Sequence, residues 1–368
     1  MNIRVPFLDL KKQYNHLKVD IDLAIKEVLN TTSFIKGPAV GRFERAFANY
    51  LNVQHCVGVG NGTDALILCL KAIGVKPGQE VITVPNTFIA TIEAIAAVGA
   101  IPVLADIDYR TYTIDPLSVE RAVTAKTVAI IPVHLYGMPC DMDPIVDIAK
   151  HNGLRIICDG AQAHGAKYKG KSLAYYCDAI TYSFYPGKNL GAYGDAGAVV
   201  TNNDEIANRV RNLADHGREE KYLHKEYGLN SRLDTIQAAI LCAKLPHLDT
   251  WNQRRVQIAD KYNEGLKDLA RLVCPYVPDY AAPVWHLYVI KVEERDGLQE
   301  YLKNCGIQTG IHYPVAIPEQ PAAQNVVVKC NQSMISKMSS ELLSLPICPE
   351  MTDDMVYYVV ESVKRFYQ

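Results

Sequence analysis

Short apolar runs alternate with longer amphipathic stretches through the first two-thirds of the chain. Near-continuous Val and Ile content is typical of strands buried on both faces, as in a parallel sheet covered by helices. The pattern predicts seven strands, at His55–Gly60, Glu80–Pro85, Ile101–Ile107, Thr127–Leu135, Leu154–Asp159, Ala179–Phe184 and Ala196–Thr201. Stretches long enough for crossover helices lie at Gly62–Ile73, Phe88–Val98 and Asp143–His151. This alternation predicts an α/β domain with a mostly parallel seven-stranded sheet.

The connection between the last two predicted strands differs from the others. Tyr185 to Asp195 spans 11 residues and contains one proline and three glycines. Parallel neighbours need about a dozen or more residues between them. We therefore expect the strand beginning at Ala196 to run antiparallel or to lie elsewhere in the sheet.

The last third of the chain predicts a second, smaller domain. Helical patterns at Leu233–Leu245 and Gln253–Leu269 lead into it. It would contain a strand and two helices, at Val284–Val292, Gly297–Cys305 and Met351–Tyr367. We predict a large domain over residues 1–245, including an N-terminal segment, and a small α+β domain over residues 246–368.

Composition narrows the class of protein. The 368 residues carry a net charge of -2, which provides no basic field for nucleic acid and no polybasic membrane patch. The chain has no apolar run of membrane-spanning length, and its first residues lack the apolar core of a secretory signal. The 10 cysteines are scattered without a C-x-x-C pair. We expect a reduced cytoplasmic protein without a metal site, a membrane segment or a nucleic-acid partner.

Glycines at a strand-to-helix junction form the first chemical signal. Gly58, Gly60 and Gly62 follow a predicted strand, and a helix is predicted to begin near Thr63. Unpaired N–H groups and the positive end of the helix dipole suit a phosphate there. A dinucleotide motif would need a third glycine at position 63, so the spacing favours a single phosphate. The alternative is a glycine turn joined to a Thr-capped helix.

Two reactive side chains follow two of the predicted strands. Asp159 ends the apolar run before it, at the edge of the sheet where ligands bind in open α/β folds. Lys188 lies just past the next strand, where partial burial would lower its pKa and favour Schiff-base chemistry. The alternatives are a helix-capping aspartate and a solvated loop lysine. A phosphate cradle, a buried aspartate and a lysine together meet the three needs of pyridoxal phosphate.

Several segments resemble the DegT/DnrJ/EryC1/StrS family of nucleotide-sugar aminotransferases. They are, in chain order, FIKGPAVGRFERAFANYL, NGTDAL, TFIATIEAI, DIDYRTYTIDP, PVHLYGMPCDM, CDGAQAHGA, SFYPGKNLGAYGDAG, GLNSRLDTIQAA and IHYPVAI. The resemblance implies a fold-type-I, pyridoxal-phosphate-dependent transferase. It further implies a homodimer in which both subunits build each active site.

The resemblance also implies roles for individual residues. Lys188 would bind the cofactor covalently, Asp159 would pair with its pyridine nitrogen, and Gln162 would contact its ring hydroxyl. Phe88 would stack on the ring, unless it is a core aromatic of an apolar helix, and Asn230 would reach the neighbouring subunit's phosphate. The remaining phosphate ligands would be Gly62, Thr63 and Ser183.

The segment SFYPGKNLGAYGD is more similar to relatives that act at C3 of the sugar, since relatives that act at C4 tend to have His after Ser-Phe. This similarity implies a dTDP-linked 3-keto-6-deoxyhexose as acceptor and glutamate as donor. Candidate substrate contacts are Tyr185, His164, Arg218, Lys221, His312 and Tyr313, with His224 and Lys225 beside them. Each of these side chains has an alternative as a core residue or a solvated loop residue.

Other functions stay open at this point. A 4-keto or UDP-linked sugar is the alternative within the family, and a sugar dehydratase would need histidine in place of Lys188. An NAD-dependent oxidoreductase would use the glycines near residue 60, but it would need the missing third glycine and an acidic ribose partner. A binding homologue without catalysis would not need the lysine, the aspartate and the phosphate cradle together.

Overall fold

A computed structural model describes residues 4–368. Its α-helices are, in chain order, α1 (Leu10–Thr31), α2 (Pro38–Leu51), α3 (Gly62–Ala72), α4 (Ala90–Ala97), α5 (Pro116–Ala122), α6 (Met142–Asn152), α7 (Asp204–Leu213), α8 (Thr235–Lys244), α9 (Leu248–Leu266), α10 (Arg295–Asn304), α11 (Gln332–Glu341) and α12 (Asp353–Tyr367). Helices α1, α2, α5, α7 and α11 are additions to those predicted above.

The strands include each of the predicted ones and several short additions. In chain order they are β1 (His55–Val59), β2 (Glu80–Thr83), β3 (Ile101–Leu104), β4 (Thr127–Ile130), β5 (Arg155–Asp159), β6 (Lys167–Tyr168), β7 (Lys171–Ser172), β8 (Ala179–Ser183), β9 (Gly197–Thr201), β10 (Arg218–Glu220), β11 (Leu223–His224), β12 (Leu272–Val273), β13 (Ala281–Ala282), β14 (Tyr288–Val292), β15 (Val327–Val328) and β16 (Leu342–Leu345).

The main sheet has the strand order β1-β9-β8-β5-β4-β2-β3-β15. Strand β9 runs antiparallel to both β1 and β8, whereas the other neighbours are parallel. The short glycine-rich connection left two expectations for the strand after it, antiparallel or placed elsewhere in the sheet, and the antiparallel one is observed. The predicted number of seven strands is wrong for the described residues, because β15 adds an eighth at the edge. Its two residues are too few to show a strand periodicity.

Helices cover the main sheet, and buried side chains fill the space between the layers. Strands β5 and β8 are almost entirely buried, which explains why their sequences are continuous apolar runs rather than alternating ones. The α/β fold with a large, mostly parallel sheet is confirmed.

A second core lies around the antiparallel sheet of order β12-β14-β16. Side chains of α9, α10 and α12 pack on this sheet, and Val5 from the start of the chain joins them. The described part of the chain therefore has a second α+β unit, as the sequence predicts. The division after residue 245 stays a prediction.

Candidate active site

A cavity of about 630 Å³ opens at the carboxyl ends of the main-sheet strands. Residues far apart in the sequence meet there, because neighbouring parallel strands end at the same edge of the sheet. The predicted site residues that line this cavity are Gly62, Thr63, Phe88, Asp159, Gln162, Ser183, Tyr185, Lys188 and Tyr313. The cavity also has walls of apolar side chains, including Leu66, Val133 and Leu135.

The first turn of α3 forms one end of the cavity. Asn61 caps this helix, and its side-chain oxygen accepts a hydrogen bond from the Asp64 amide over 2.8 Å. The helix begins at Gly62, where the predicted stretch Gly62–Ile73 begins, with Asn61 rather than Thr63 as its cap. The amides of Gly62 and Thr63 lie too early in the helix to have an acceptor within it. These two N–H groups are suited to bind an anion.

Gly62 lets the start of α3 pack closely against the end of β8 because it lacks a side chain. A Cβ atom at this position would lie 2.7 Å from Cβ of Ser183, at the end of β8. The hydroxyl groups of Thr63 and Ser183 line the same end of the cavity. This cradle of two amides and two hydroxyls fits a phosphate group.

Asp159 ends β5 with its side chain inside the protein, 6% exposed. Its carboxylate accepts hydrogen bonds from the Thr91 hydroxyl over 3.0 Å and from the Ala161 amide over 3.1 Å. Burial raises the pKa of Asp159, although these two donors and the charge of Lys188 lower it. A buried carboxylate of this kind is stabilised by a cationic partner, which the protonated nitrogen of a pyridine ring would be.

Thr91 is a site residue that the sequence analysis missed. It lies on α4, one turn after Thr87, and the two hydroxyl oxygens are 2.9 Å apart. Both side chains are buried, with 4% of Thr87 and 1% of Thr91 exposed. Two threonines four residues apart beside an apolar run were the available signal, although only Thr91 lies within α4.

Lys188 lies in the loop between β8 and β9, and its amine lines the cavity together with Asp159. The loop turns directly before it, since the Lys188 amide donates to the Tyr185 carbonyl oxygen over 2.8 Å. Burial lowers the pKa of the Lys188 amine to about 8, and the attraction of Asp159 opposes this shift. A substantial fraction of the amine is thus neutral near physiological pH, as a nucleophile requires.

Gln162 and Tyr313 meet on another wall of the cavity. The Gln162 side-chain oxygen accepts a hydrogen bond from the Tyr136 amide over 2.5 Å. Its side-chain nitrogen lies 3.3 Å from the Tyr313 hydroxyl, to which it donates. Burial raises the pKa of Tyr313 to about 12, so this hydroxyl stays protonated and can donate to a ligand.

Phe88 and Tyr185 have partly exposed rings at the cavity. Phe88 is 53% exposed, and its ring centroid is 5.6 Å from that of Tyr313. It precedes α4, so the prediction that it lies within a helix is wrong, and so is the alternative of a core aromatic. Tyr185 is 60% exposed and follows the last strand residue of β8 by two positions.

Two predicted substrate contacts lie behind the cavity rather than in its wall. His164 is fully buried, with the rings of Tyr182 and Phe184 at 5.2 Å and 5.6 Å, and burial lowers its pKa to about 3. His164 is therefore a core residue, which was the alternative, and does not line the cavity as a substrate contact. The Nδ1 atom of His312 lies 2.8 Å from the Ser344 hydroxyl, and burial lowers the pKa of His312 to about 4.

The other predicted residues lie on the segment that contains the β10–β11 hairpin, outside the cavity lining. The Arg218 guanidinium is 3.5 Å from the Asp215 carboxylate, and Lys221 extends over the ring of the exposed Tyr222. Asn230 is exposed and pairs through its backbone with Asp215. His224 and Lys225 are exposed on the same segment. Within one chain, these side chains do not line the cavity that contains Lys188 and Asp159.

Across residues 4–368, every helix is too short or too polar to cross a membrane. The same residues contain no group of three or more His, Cys, Asp or Glu side chains arranged to hold a metal ion.

A lysine loop, a buried aspartate and a helix-start phosphate cradle at one edge of an α/β sheet define a pyridoxal-phosphate-dependent enzyme of fold type I. Comparison with known proteins agrees with this class. The chain belongs to the DegT/DnrJ/EryC1/StrS aminotransferase family, whose model matches residues 15–364. Aminotransferases of this family depend on pyridoxal phosphate.

Individual relatives align over nearly their whole length. The chain is 46% identical to a pleiotropic regulatory protein of Geobacillus stearothermophilus, with 100% of this chain and 99% of the relative covered. It is 46% identical to the dTDP-3-amino-3,6-dideoxy-alpha-D-galactopyranose transaminase of Aneurinibacillus thermoaerophilus, with 98% and 99% covered. Relatives named for UDP-linked sugars match as well.

The fold is shared with a solved enzyme structure. The crystal structure of DesV from S. venezuelae, in complex with a ketimine intermediate, superposes with a TM-score of 0.97 at 42% identity. The match covers 100% of this chain and 99% of that chain.

Proposed function

We propose that this protein transfers the amino group of L-glutamate to the C3 keto group of a dTDP-linked 3-keto-6-deoxyhexose. The product is a 3-amino-3,6-dideoxy sugar nucleotide. The observation that carries this proposal is the convergence of Lys188 and Asp159 on one cavity beside the Gly62 phosphate cradle. The names of relatives that act on dTDP-linked 3-amino sugars support the choice of substrate.

The side chains of the cavity have distinct roles in this reaction. Bound pyridoxal phosphate supplies an electron sink that stabilises negative charge at the Cα atom of the amino acid. Asp159, held by Thr91 and the Ala161 amide, keeps a proton on the ring nitrogen. Lys188 would hold the cofactor covalently through its amine. When that amine is free, it would accept the Cα proton of the amino acid and return it as a general acid.

The remaining cavity residues bind and orient. Gln162 would contact the ring hydroxyl, and Phe88 would cover one face of the ring so that chemistry is confined to the other. Tyr185 and Tyr313 border the open part of the cavity, where we place the sugar. The ring centroid of His312 is 5.6 Å from that of Tyr313, so His312 would affect sugar binding through the position of this neighbour.

We further propose a homodimer in which each subunit completes the other's site. Asn230 and the cationic side chains of the β10–β11 hairpin lie outside the cavity of their own chain, which supports a role at the neighbouring one. The exposed Tyr222 and Tyr227, at 84% and 96%, support burial of this segment against a second copy. Arg218 and Lys221 would then meet the sugar diphosphate.

Mixed dimers of Lys188→Ala and Asn230→Ala subunits test this sharing. If Asn230 serves the neighbouring subunit, one of the two sites in the mixed dimer is intact, and activity should be about half that of the wild type. If Asn230 serves its own subunit, both sites are damaged. Differently tagged subunits, purified as the mixed species and assayed for amino transfer, measure the difference. Activity no higher than that of the Asn230→Ala homodimer would contradict a shared site.

Purified enzyme assayed with matched acceptors tests the substrate. We expect the 3-keto-6-deoxyhexose to turn over faster than the 4-keto sugar, and the dTDP-linked sugar faster than its UDP-linked counterpart. Glutamate alone should convert the yellow cofactor to its amino form, and a keto acceptor should restore the colour. Faster turnover of a 4-keto acceptor would overturn the C3 assignment. A protein that stays colourless with added pyridoxal phosphate would be a binding homologue instead.

We place the protein in the cytoplasm. All 10 cysteines are free thiols, which is typical of a reducing compartment. Nucleotide sugars and glutamate are both available there. Fractionation of cells with an antibody against the purified protein would test this placement.

A further inference from the structure

A buried lysine lies beneath the loop that carries Lys188. Lys244, the last residue of α8, is only 1% exposed. Its Nζ atom donates a hydrogen bond to the carbonyl oxygen of Gly191 over 2.5 Å. The ring centroids of Tyr193 and Trp251 lie 5.1 Å and 5.9 Å from the same nitrogen. Burying an amine costs free energy unless its interactions compensate, so the carbonyl oxygen of Gly191 and the two aromatic rings must stabilise the Lys244 amine.

A second side chain of α8 holds the same loop. Gln237 lies seven residues before Lys244, which is about two helical turns, so both side chains are on one face of α8. The Gln237 side-chain oxygen accepts from the Tyr193 amide over 2.8 Å. Its side-chain nitrogen donates to the Tyr193 carbonyl oxygen over 3.4 Å. Gly194 permits this approach, because a Cβ atom there would lie 3.0 Å from the Gln237 nitrogen.

The loop itself is folded closely enough to transmit these contacts to Lys188. A Cβ atom at Gly191 would lie 2.3 Å from the carbonyl oxygen of Pro186, so the two ends of this turn touch. The Ala192 amide donates to the Phe184 carbonyl oxygen over 2.8 Å. A shift of Gly191 would therefore move Pro186 and the turn that contains Lys188.

We propose that Lys244 is a positioning residue, whose amine fixes Gly191 and thereby keeps the Lys188 side chain directed into the cavity beside Asp159. This inference rests on the proposed function, since it assigns Lys244 to the same reaction. An ammonium group and a neutral amine can both donate to a carbonyl oxygen. The contact consequently holds whichever protonation state Lys244 adopts.

Lys244→Met tests the proposal, because methionine keeps a flexible apolar chain of similar length but cannot donate. We expect kcat of the cofactor-loaded enzyme to fall about 10- to 100-fold, since a small misplacement of a reacting group has effects of this size. KM for glutamate and for the keto sugar should stay within about twofold of the wild type, because the substitution removes no contact with either substrate. In the apoenzyme, hydrogen exchange at the Lys188 and Ala192 amides should be faster than in the wild type.

Lys12→Met is the matched control. Its Nζ atom also donates to a backbone carbonyl oxygen, that of Glu350, over 2.7 Å, but it contacts no residue of the Lys188 loop. This variant should keep the kcat and the loop exchange rates of the wild type. An equal loss of kcat in both variants would overturn the proposal, because the effect would then be general.

Gln237→Ala provides a second test if Lys244→Met fails to fold. Gln237 is only partly buried, and its loss should speed exchange at the same loop amides with a smaller fall in kcat. Unchanged loop exchange in the variants that fold would overturn the positioning role. Failure of the proposed function is distinguishable, because it would show as absent amino transfer in the wild type, whereas exchange in the apoenzyme would still report on the loop.

Discussion

Replacing Lys188 with alanine should reduce amino transfer by at least about 10³-fold, because in the proposed function this one side chain would supply both the covalent link to the cofactor and the proton transfer at Cα. Lys188 is the only lysine that lines the cavity within residues 4–368. Its pKa of about 8 suits it to exchange protons near physiological pH. Borohydride reduction, followed by peptide mapping, should label Lys188 in the wild type and leave the variant unlabelled.

Lys150→Ala is the control for this experiment, since Lys150 is an exposed residue at the end of α6. It should retain wild-type turnover and cofactor labelling. The melting temperature of the Lys188→Ala apoenzyme should confirm that it is folded. Repeated turnover at the wild-type rate by Lys188→Ala, or cofactor bound to another lysine in the wild type, would contradict the proposed chemistry.

Asp159→Asn should lower kcat by about 10²- to 10³-fold, the range found when a preorganised electrostatic partner is removed. Asparagine retains the shape of the side chain but carries no negative charge to hold a proton on the ring nitrogen. The Thr91 hydroxyl would also lose its charged acceptor. Single-turnover measurement of glutamate deamination would show the loss in the chemical step. A kcat within twofold of the wild type would contradict the role of Asp159.

The same variant should have the opposite effect on the stability of the apoenzyme. Burial raises the pKa of Asp159, so folded protein retains a proton that the unfolded chain releases. The free energy of unfolding therefore falls as the pH rises from the unfolded pKa through the folded one. Asp159→Asn avoids this penalty, and its apoenzyme should be more stable than the wild type at pH 7 but not at pH 3. Asp141→Asn is the control, because the Asp141 carboxylate lies outside the cavity and accepts a hydrogen bond from the Tyr168 hydroxyl; this variant should be no more stable than the wild type at pH 7.

Much of the cavity could be predicted from the sequence because its residues follow strands. The apolar runs that end at Asp159 and just before Lys188 identify their strands, and parallel strands bring these ends to one edge. Gly62 belongs to a recognisable strand-to-helix junction. In each case the local pattern and a general rule of sheet topology are sufficient.

Other contacts depend on side chains whose partners are distant in the sequence. Thr91 donates a hydrogen bond to Asp159, 68 positions away in the sequence. Lys244 donates one to the carbonyl oxygen of Gly191, 53 positions away. Periodicity shows which face of a helix is apolar, but it does not show which residue of another segment that face will meet. His164 illustrates the same point, because its sequence neighbours Asp159 and Gln162 line the cavity whereas its own ring is buried behind them.

The amino-acid sequence by itself determined the α/β alternation, the exclusion of a simple parallel pairing between β8 and β9, and the residues at the strand ends, because these follow from local hydrophobicity and the length of a connection. Only the tertiary structure decided the edge strand β15, the burial of His164 and the support of the Lys188 loop by α8. Those features arise from packing between segments far apart in the chain, where the shape of the neighbouring surface selects the contact.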